Sequence, residues 1–193
     1  MKDNAIITTI DLGRTYDVGS AIVSAVQGVN MKVYPGQFIA VVGRSGSGKT
    51  TLLNLLAGLD MASTGKVLFE NKDLATMGSG ELTQIRRHKV GFVFQSFGLL
   101  PLLSAFENVE LPLRISGTPA KKRENRAREM LEMVGLSNRL HHRPYELSGG
   151  EQQRVAIARA VVAEPLLILA DEPTGELDSV NAKTIFGLFK EMV

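Results

Sequence analysis

The 193-residue chain sets 22 Lys and Arg against 20 Asp and Glu, a net charge of +2, so no cationic excess supports nucleic acid as a partner. It has no cysteine, which excludes disulfides and thiolate metal sites and suits a reducing cytosol. No apolar run reaches the ~18 residues of a membrane-spanning helix; the longest candidate, 161–170, is broken by Glu164 and Pro165.

The N-terminus MKDNAIITTIDLG lacks the basic start and apolar stretch of a secretory signal. Apolar alternation over 5–10, 21–26 and 29–33 predicts three antiparallel strands. Phe38, Ile39, Ala40, Val41 and Val42 form a short apolar run suited to a buried parallel strand. Residues 43–50 then read GRSGSGKT and fit G-x-x-x-x-G-K-[ST] at Gly43, Gly48, Lys49 and Thr50. Leucines and alanine follow at helical spacing from Thr51 to Leu59. Strand, glycine loop and helix together predict a phosphate cradle. Across Gly43, Arg44, Ser45, Gly46, Ser47 and Gly48 the backbone N–H groups can turn inward, and a helix N-terminus adds its positive end. Lys49 would reach the β- and γ-phosphates, and the Thr50 hydroxyl would ligate Mg²⁺.

Beyond the cradle, 67–69 predicts a strand, 81–88 a short helix and 90–94 a strand ending at Gln95. The stretch 104–134 is helical, with Ala127, Met130, Leu131 and Val134 on one face and Pro119 suited to an early helical position. The basic residues Lys121, Lys122, Arg123 and Arg128 alternate with Glu124 and Glu129 and read as a solvated face. A helix over 150–163, a strand over 166–170 and a last helix from Ser179 complete the order. This pattern predicts an α/β P-loop core with an antiparallel β part and a helical insertion.

Two further constellations carry chemistry. The apolar strand 166–170 delivers Asp171 and Glu172 at its C-terminal end, where open α/β sheets bind ligands. Asp171 there can hold Mg²⁺, and Glu172 can polarise a water; alone, the pair is also how many solvated loops begin. Residues 147–152 read LSGGEQ. Ser148, Gly149 and Gly150 open a helix and form a second anion-ready terminus. A plain capping box of Ser148 and Glu151 explains those two residues but not the glycine pair.

At LSGGEQ the chain resembles the ATP-binding cassette (ABC) ATPases. The resemblance implies a RecA-like nucleotide-binding core of residues 1–95 and 164–193 and a helical subdomain of 96–163. It implies ATP and Mg²⁺ as cofactors, with Thr50, Gln95 and Asp171 at the metal and Glu172, Gln95 and Lys49 in catalysis. Ser45 and Thr51 match further phosphate contacts, and Tyr16 matches the aromatic that stacks on adenine, a buried structural tyrosine being the alternative. Two cassettes would pack head to tail as a homodimer, each LSGG turn capping the γ-phosphate held by the other. Leu177 and Asp178 match the loop that crosses this interface, where Glu176 stands in place of a small residue and is expected to weaken closure.

The stretches around Arg86, Gln95 and Leu111 resemble the lipoprotein-release, macrolide-export and FtsE-like branch, which pairs with FtsX-type permeases. This implies a cytoplasmic subunit, peripheral on the inner face of the cell membrane, that powers a separate permease and binds no nucleic acid. The apolar segment 97–103 is either a groove for that permease or plain core. Family members continue into another strand ending in a switch histidine, whereas this sequence stops at Val193 and its His88, His141 and His142 lie in unrelated contexts. Weak steady-state hydrolysis and reduced stability are therefore expected, and a non-catalytic binding module is the alternative. Soluble ABC ATPases of DNA repair or translation carry long coiled-coil insertions or tandem cassettes, and neither is present here.

Overall fold

Alternating burial along the first strands sets the architecture of the N-terminal half. The computed structural model describes residues 4–19, 21–174 and 187. They fall into two units that divide between Arg86 and Arg87. In the first unit, β1 (Ile7–Val18) and β2 (Ala21–Val33) pair as one long antiparallel hairpin, in register from Ile7↔Val33 to Val18↔Ala21. The expected breaks between 21–26 and 29–33 are thus internal to one strand. Register shifts between Thr9 and Thr15 absorb the irregularity, and the Thr9 hydroxyl patches the ladder by donating to the Val29 carbonyl (2.9 Å) and accepting from the Met31 N–H (3.0 Å).

β3 (Thr64–Phe69) lies along the other edge of β1, and β4 (Lys72–Asp73) turns back on it, giving the sheet order β2-β1-β3-β4. Glu70 and Asn71 make the two-residue turn with φ of 46° and 66°, the left-handed pair that a tight hairpin requires. Ile7, Leu12, Val67 and Phe69 are buried, as are Leu52, Leu55 and Leu56 of helix α1 (Lys49–Leu56), which packs against β2.

The run from Phe38 to Val42 departs from expectation. It forms no strand, and Phe38 and Val42 are 50% and 89% exposed. A parallel strand exists only through ladders to neighbours, and among the described residues nothing pairs with this run. Apolar composition therefore gave the right residue types and the wrong state.

The second unit is built on two parallel strands, β5 (Val90–Val93) and β6 (Leu167–Ala170), paired Val90↔Leu167 through Val93↔Ala170. Helix α2 (Ser79–His88) leads into β5. The expected helical stretch 104–134 is two helices, α3 (Ala105–Ile115) and α4 (Ala120–Met133), separated by Gly117 at φ 80° and by Pro119, which caps α4. With α5 (Gly149–Val161) they bury Val109, Leu113, Leu131, Val155 and Ala158 in one core, joined by Ala127, Met130 and Val134 as the spacing predicted.

On α4 the pairs Arg126–Glu129 and Arg128–Glu124 lie on the solvated face, whereas Arg123 turns inward to Glu110. Burial works against the Glu110 charge, yet hydrogen bonds from Arg123 and Arg114 hold its carboxyl below the usual range. Helix α5 lies directly on β5: a Cβ at Gly91 would stand 2.2 Å from the Ala160 carbonyl oxygen, so only glycine permits this approach. Val93 and Ile157 close the seam, both fully buried.

Candidate nucleotide-binding site

The first unit holds the glycine loop. Residues 43–47 are exposed, and the loop closes on itself through a bond from the Ser47 N–H to the Arg44 carbonyl (3.2 Å). Lys49 bends back across it, its Nζ donating to the carbonyls of Gly43 and Arg44, each at 3.2 Å. Gly48 is the N-cap of α1 at φ 87°, and no side chain caps the helix. The loop thus leads straight into the N-terminus of α1, whose positive dipole end favours an anion. At the far end of α1 the Tyr16 hydroxyl donates to Asp60 at 2.6 Å, and the ring is partly exposed.

The second unit brings together the predicted carboxylates and Gln95. Parallel pairing continues one residue past β6, with the Asp171 N–H donating to the Val93 carbonyl (2.9 Å). Asp171 is 6% exposed, whereas Glu172 is exposed and takes a left-handed φ of 43°. That turn aims its side chain across the strand ends, where Gln95 Nε2 donates to Glu172 Oε2 at 3.0 Å. A non-glycine residue held at positive φ is costly, and such strain concentrates at working sites.

Ser148 stands exposed at the N-cap of α5, with Gly149 and Gly150 as the first helical residues. The capping box is fully formed: Ser148 Oγ accepts from the Glu151 N–H (3.3 Å), and the Ser148 N–H donates to Glu151 Oε2 (2.8 Å). The box uses the N–H groups of Ser148 and Glu151 and involves neither glycine amide. Arg139 donates to the other oxygen of Glu151 at 2.9 Å. This bond first, then those from Ser148, outweigh burial and pull the Glu151 carboxyl from 4.5 to about 2.

A family model described as ABC transporter matches residues 26–175. This chain belongs to that family. The cassette is 51% identical over 187 residues to an ABC transporter ATP-binding protein of Thermotoga maritima, covering 97% of this chain and 80% of the relative. It is 47% identical to the lipoprotein-releasing system ATP-binding protein LolD of Pseudomonas fluorescens, covering all of this chain and 85% of LolD. The macrolide export ATP-binding/permease protein MacB of Wolinella succinogenes is 45% identical, over 94% of this chain and 28% of MacB. Among solved structures, a dimeric post-hydrolysis state of the ATP-binding cassette MJ0796 with ADP and Pi superposes with a TM-score of 0.90 at 44% identity, over 96% of this chain and 82% of the other. The cassette is an ATP-binding, ATP-hydrolysing component of an ABC transporter, with the mixed α/β fold expected.

Several contacts of the cassette carry no sequence signal. Arg159 of α5, half-buried, donates to the carbonyls of Phe97 and Gly98, two consecutive left-handed residues (φ 61° and 58°) just after Gln95. Asn108, fully buried, ties the loop 100–104 to α3 by accepting from the Leu100 N–H (2.8 Å) and donating to the carbonyls of Leu103 and Ser104 (3.0 Å each). The segment 97–103 is divided between core and surface. Leu99 packs on the helical core, whereas Leu100 and Leu102 are exposed. Glu176, Leu177, Asp178 and the helix expected from Ser179 lie outside the described residues.

The Glu151 cap gives an acid-range expectation. Its carboxyl is depressed in the folded chain, so its stabilisation is complete above pH ~4.5 and is lost as pH falls toward 2. Against Glu151→Gln, the native chain should be more stable by about 1 kcal/mol at neutral pH, a difference that shrinks below pH ~4.5 and vanishes near 2. Thermal unfolding of both proteins across this range checks it, and a pH-independent gap would contradict the assignment.

Proposed function

We propose that two copies of this chain close head to tail around ATP and drive a separate membrane permease. The observation that carries this reading is the capped turn Ser148–Gly149–Gly150, entered through an exposed Ser148, a second anion-ready terminus in the unit that does not contain the phosphate loop. The MJ0796 cassette, also solved as a dimer at 45% identity, supports a two-copy assembly. On this reading the core comprises residues 1–95 and 164–193, and 96–163 form the helical lobe. Ser45, Thr51 and the loop amides of Gly43–Thr50 hold the phosphates with Lys49, and Tyr16 stacks on adenine.

Thr50, Gln95 and Asp171 offer only oxygen donors, with one carboxylate among them. This suits Mg²⁺, which takes one or two carboxylates and completes its shell with phosphate and water. When bound, Mg²⁺ would neutralise charge developing on the phosphate oxygens. Glu172, positioned by Gln95, takes the proton from the attacking water. The partner is an FtsX-type permease, as likeness to LolD and MacB supports, and docking on it places the cassette at the inner face of the membrane. No helix among the described residues is long and apolar enough to cross a membrane itself.

Complementation tests the composite site. Lys49→Ala disables one chain's phosphate loop, and Ser148→Arg disables the other chain's capping turn. Each variant alone should lose ATP-driven association and hydrolysis. Mixed in equal amounts, they regenerate one intact site per heterodimer, about a quarter of all sites. If mixing restores nothing, the two motifs do not meet across a dimer.

A further inference from the structure

The Tyr16 side chain is held by two groups that the phosphate cradle does not require. Its hydroxyl donates to Asp60 Oδ2, and the Arg14 guanidinium lies over the ring, 4.5 Å from its centroid. Arg14 also forks onto the same carboxylate, Nε to Oδ2 at 3.0 Å and Nη2 to Oδ1 at 2.8 Å. Asp60 is anchored in turn. The Met61 N–H donates to Oδ1 at 2.7 Å, and the N–H groups of Leu59 and Asp60 return to the Asn54 carbonyl in α1 at 2.9 and 3.3 Å. Ser63 lengthens the seam, its Oγ accepting from the Thr15 N–H (3.1 Å) and its N–H donating to the Gly13 carbonyl (2.8 Å).

One end of α1 therefore carries the phosphate loop, and the turn after its other end carries the carboxylate that orients Tyr16. Burial works against the Asp60 charge. Hydrogen bonds from Tyr16 and Met61 and the charge of Arg14 prevail, and its carboxyl sits below the ordinary range. An ionised carboxylate only accepts, so the phenol has one orientation available. Arg14 covers one face of the ring, and the residue stays partly exposed.

We propose that Arg14 and Asp60 are positioning residues for the nucleotide base, fixing the Tyr16 ring through α1 at a set place relative to the phosphate cradle. The inference rests on the reading of Tyr16 as the adenine platform. A ring already ordered gives up little freedom on stacking, whereas a released ring must be ordered by the nucleotide. Affinity for ATP should respond, and affinity for a ligand with phosphates but no base should not.

Equilibrium binding of Mg·ATP and of inorganic tripolyphosphate to the full chain provides the test. Tyr16→Phe, which keeps the ring and removes the donor, and Asp60→Ala, which removes the acceptor, should each weaken ATP binding about three- to tenfold. The double variant should be no worse than the weaker single, since both break one contact. Tripolyphosphate affinity should stay within about twofold of the native value in every variant. If Tyr16→Ala leaves ATP affinity intact, the platform reading itself fails. Should Tyr16→Ala weaken ATP while Tyr16→Phe and Asp60→Ala do not, the platform stands and the positioning role is overturned. A parallel fall in tripolyphosphate affinity would likewise overturn it, by placing the damage in the cradle.

Discussion

Glu172→Gln is expected to lower single-turnover ATP hydrolysis by about 10²- to 10⁴-fold, the range for removing a general base, while ATP affinity changes little. The geometry explains why this substitution is clean. Gln95 donates to Glu172 Oε2, and an amide oxygen placed there still accepts that bond, so the left-handed turn at residue 172 keeps its support. What disappears is the capacity to take a proton. With cleavage blocked, the two-copy state should accumulate in saturating Mg·ATP and be visible by light scattering. Glu172→Ala, which also removes the acceptor for Gln95, should match the loss of hydrolysis. Near-native turnover in Glu172→Gln would move the base to another residue. A strictly monomeric Glu172→Gln protein would remove the two-copy mechanism.

Gly48→Ala should abolish ATP binding, by more than about 100-fold, and also destabilise the chain without nucleotide. Alanine at φ 87° pays the left-handed penalty of about 1–2 kcal/mol. Its Cβ would also stand 2.0 Å from the Ala25 carbonyl oxygen of β2, a separation that cannot persist. The loop must then leave the strand that backs it, and the N–H groups of α1 lose their common target. A loss of about 2–3 kcal/mol corresponds to a fall in Tm of roughly 5–10 °C for a chain of this size. Lys49→Ala supplies the contrast, with ATP binding lost and Tm nearly unchanged. Equal Tm values for both variants would show that Gly48 serves the ligand alone.

The elements that sequence made legible are those whose determinants lie close together along the chain. GRSGSGKT, LSGGEQ and the strand ending in Asp171–Glu172 each stand where local pattern placed them. Ala127, Met130, Leu131 and Val134 are buried as helical spacing requires. Phe38–Val42 failed because an apolar run states a preference for burial and says nothing about which strand will pair with it. The fusion of 21–26 with 29–33 was hidden for a related reason. A bulge is decided by hydroxyl and carbonyl partners on the opposite strand, such as Thr9 opposite Val29. Within the candidate site, Arg14 could have been noticed two residues from Tyr16 on one strand. Asp60, Asn108 and Arg159 could not, because polar contacts between distant segments leave no period in the sequence.

The bare backbone of Gly91 against Ala160 has a mechanical meaning. At that point no side chain separates the LSGG-bearing helix from the strand that ends beside Gln95, and the buried Val93 and Ile157 lock the rest of the seam. Whatever displaces Ser148 at one end of that helix must carry the glutamine with it. A phosphate gripped or released at the helix tip would then be felt at the base of the hydrolytic pair as a rigid shift, without any intervening relay.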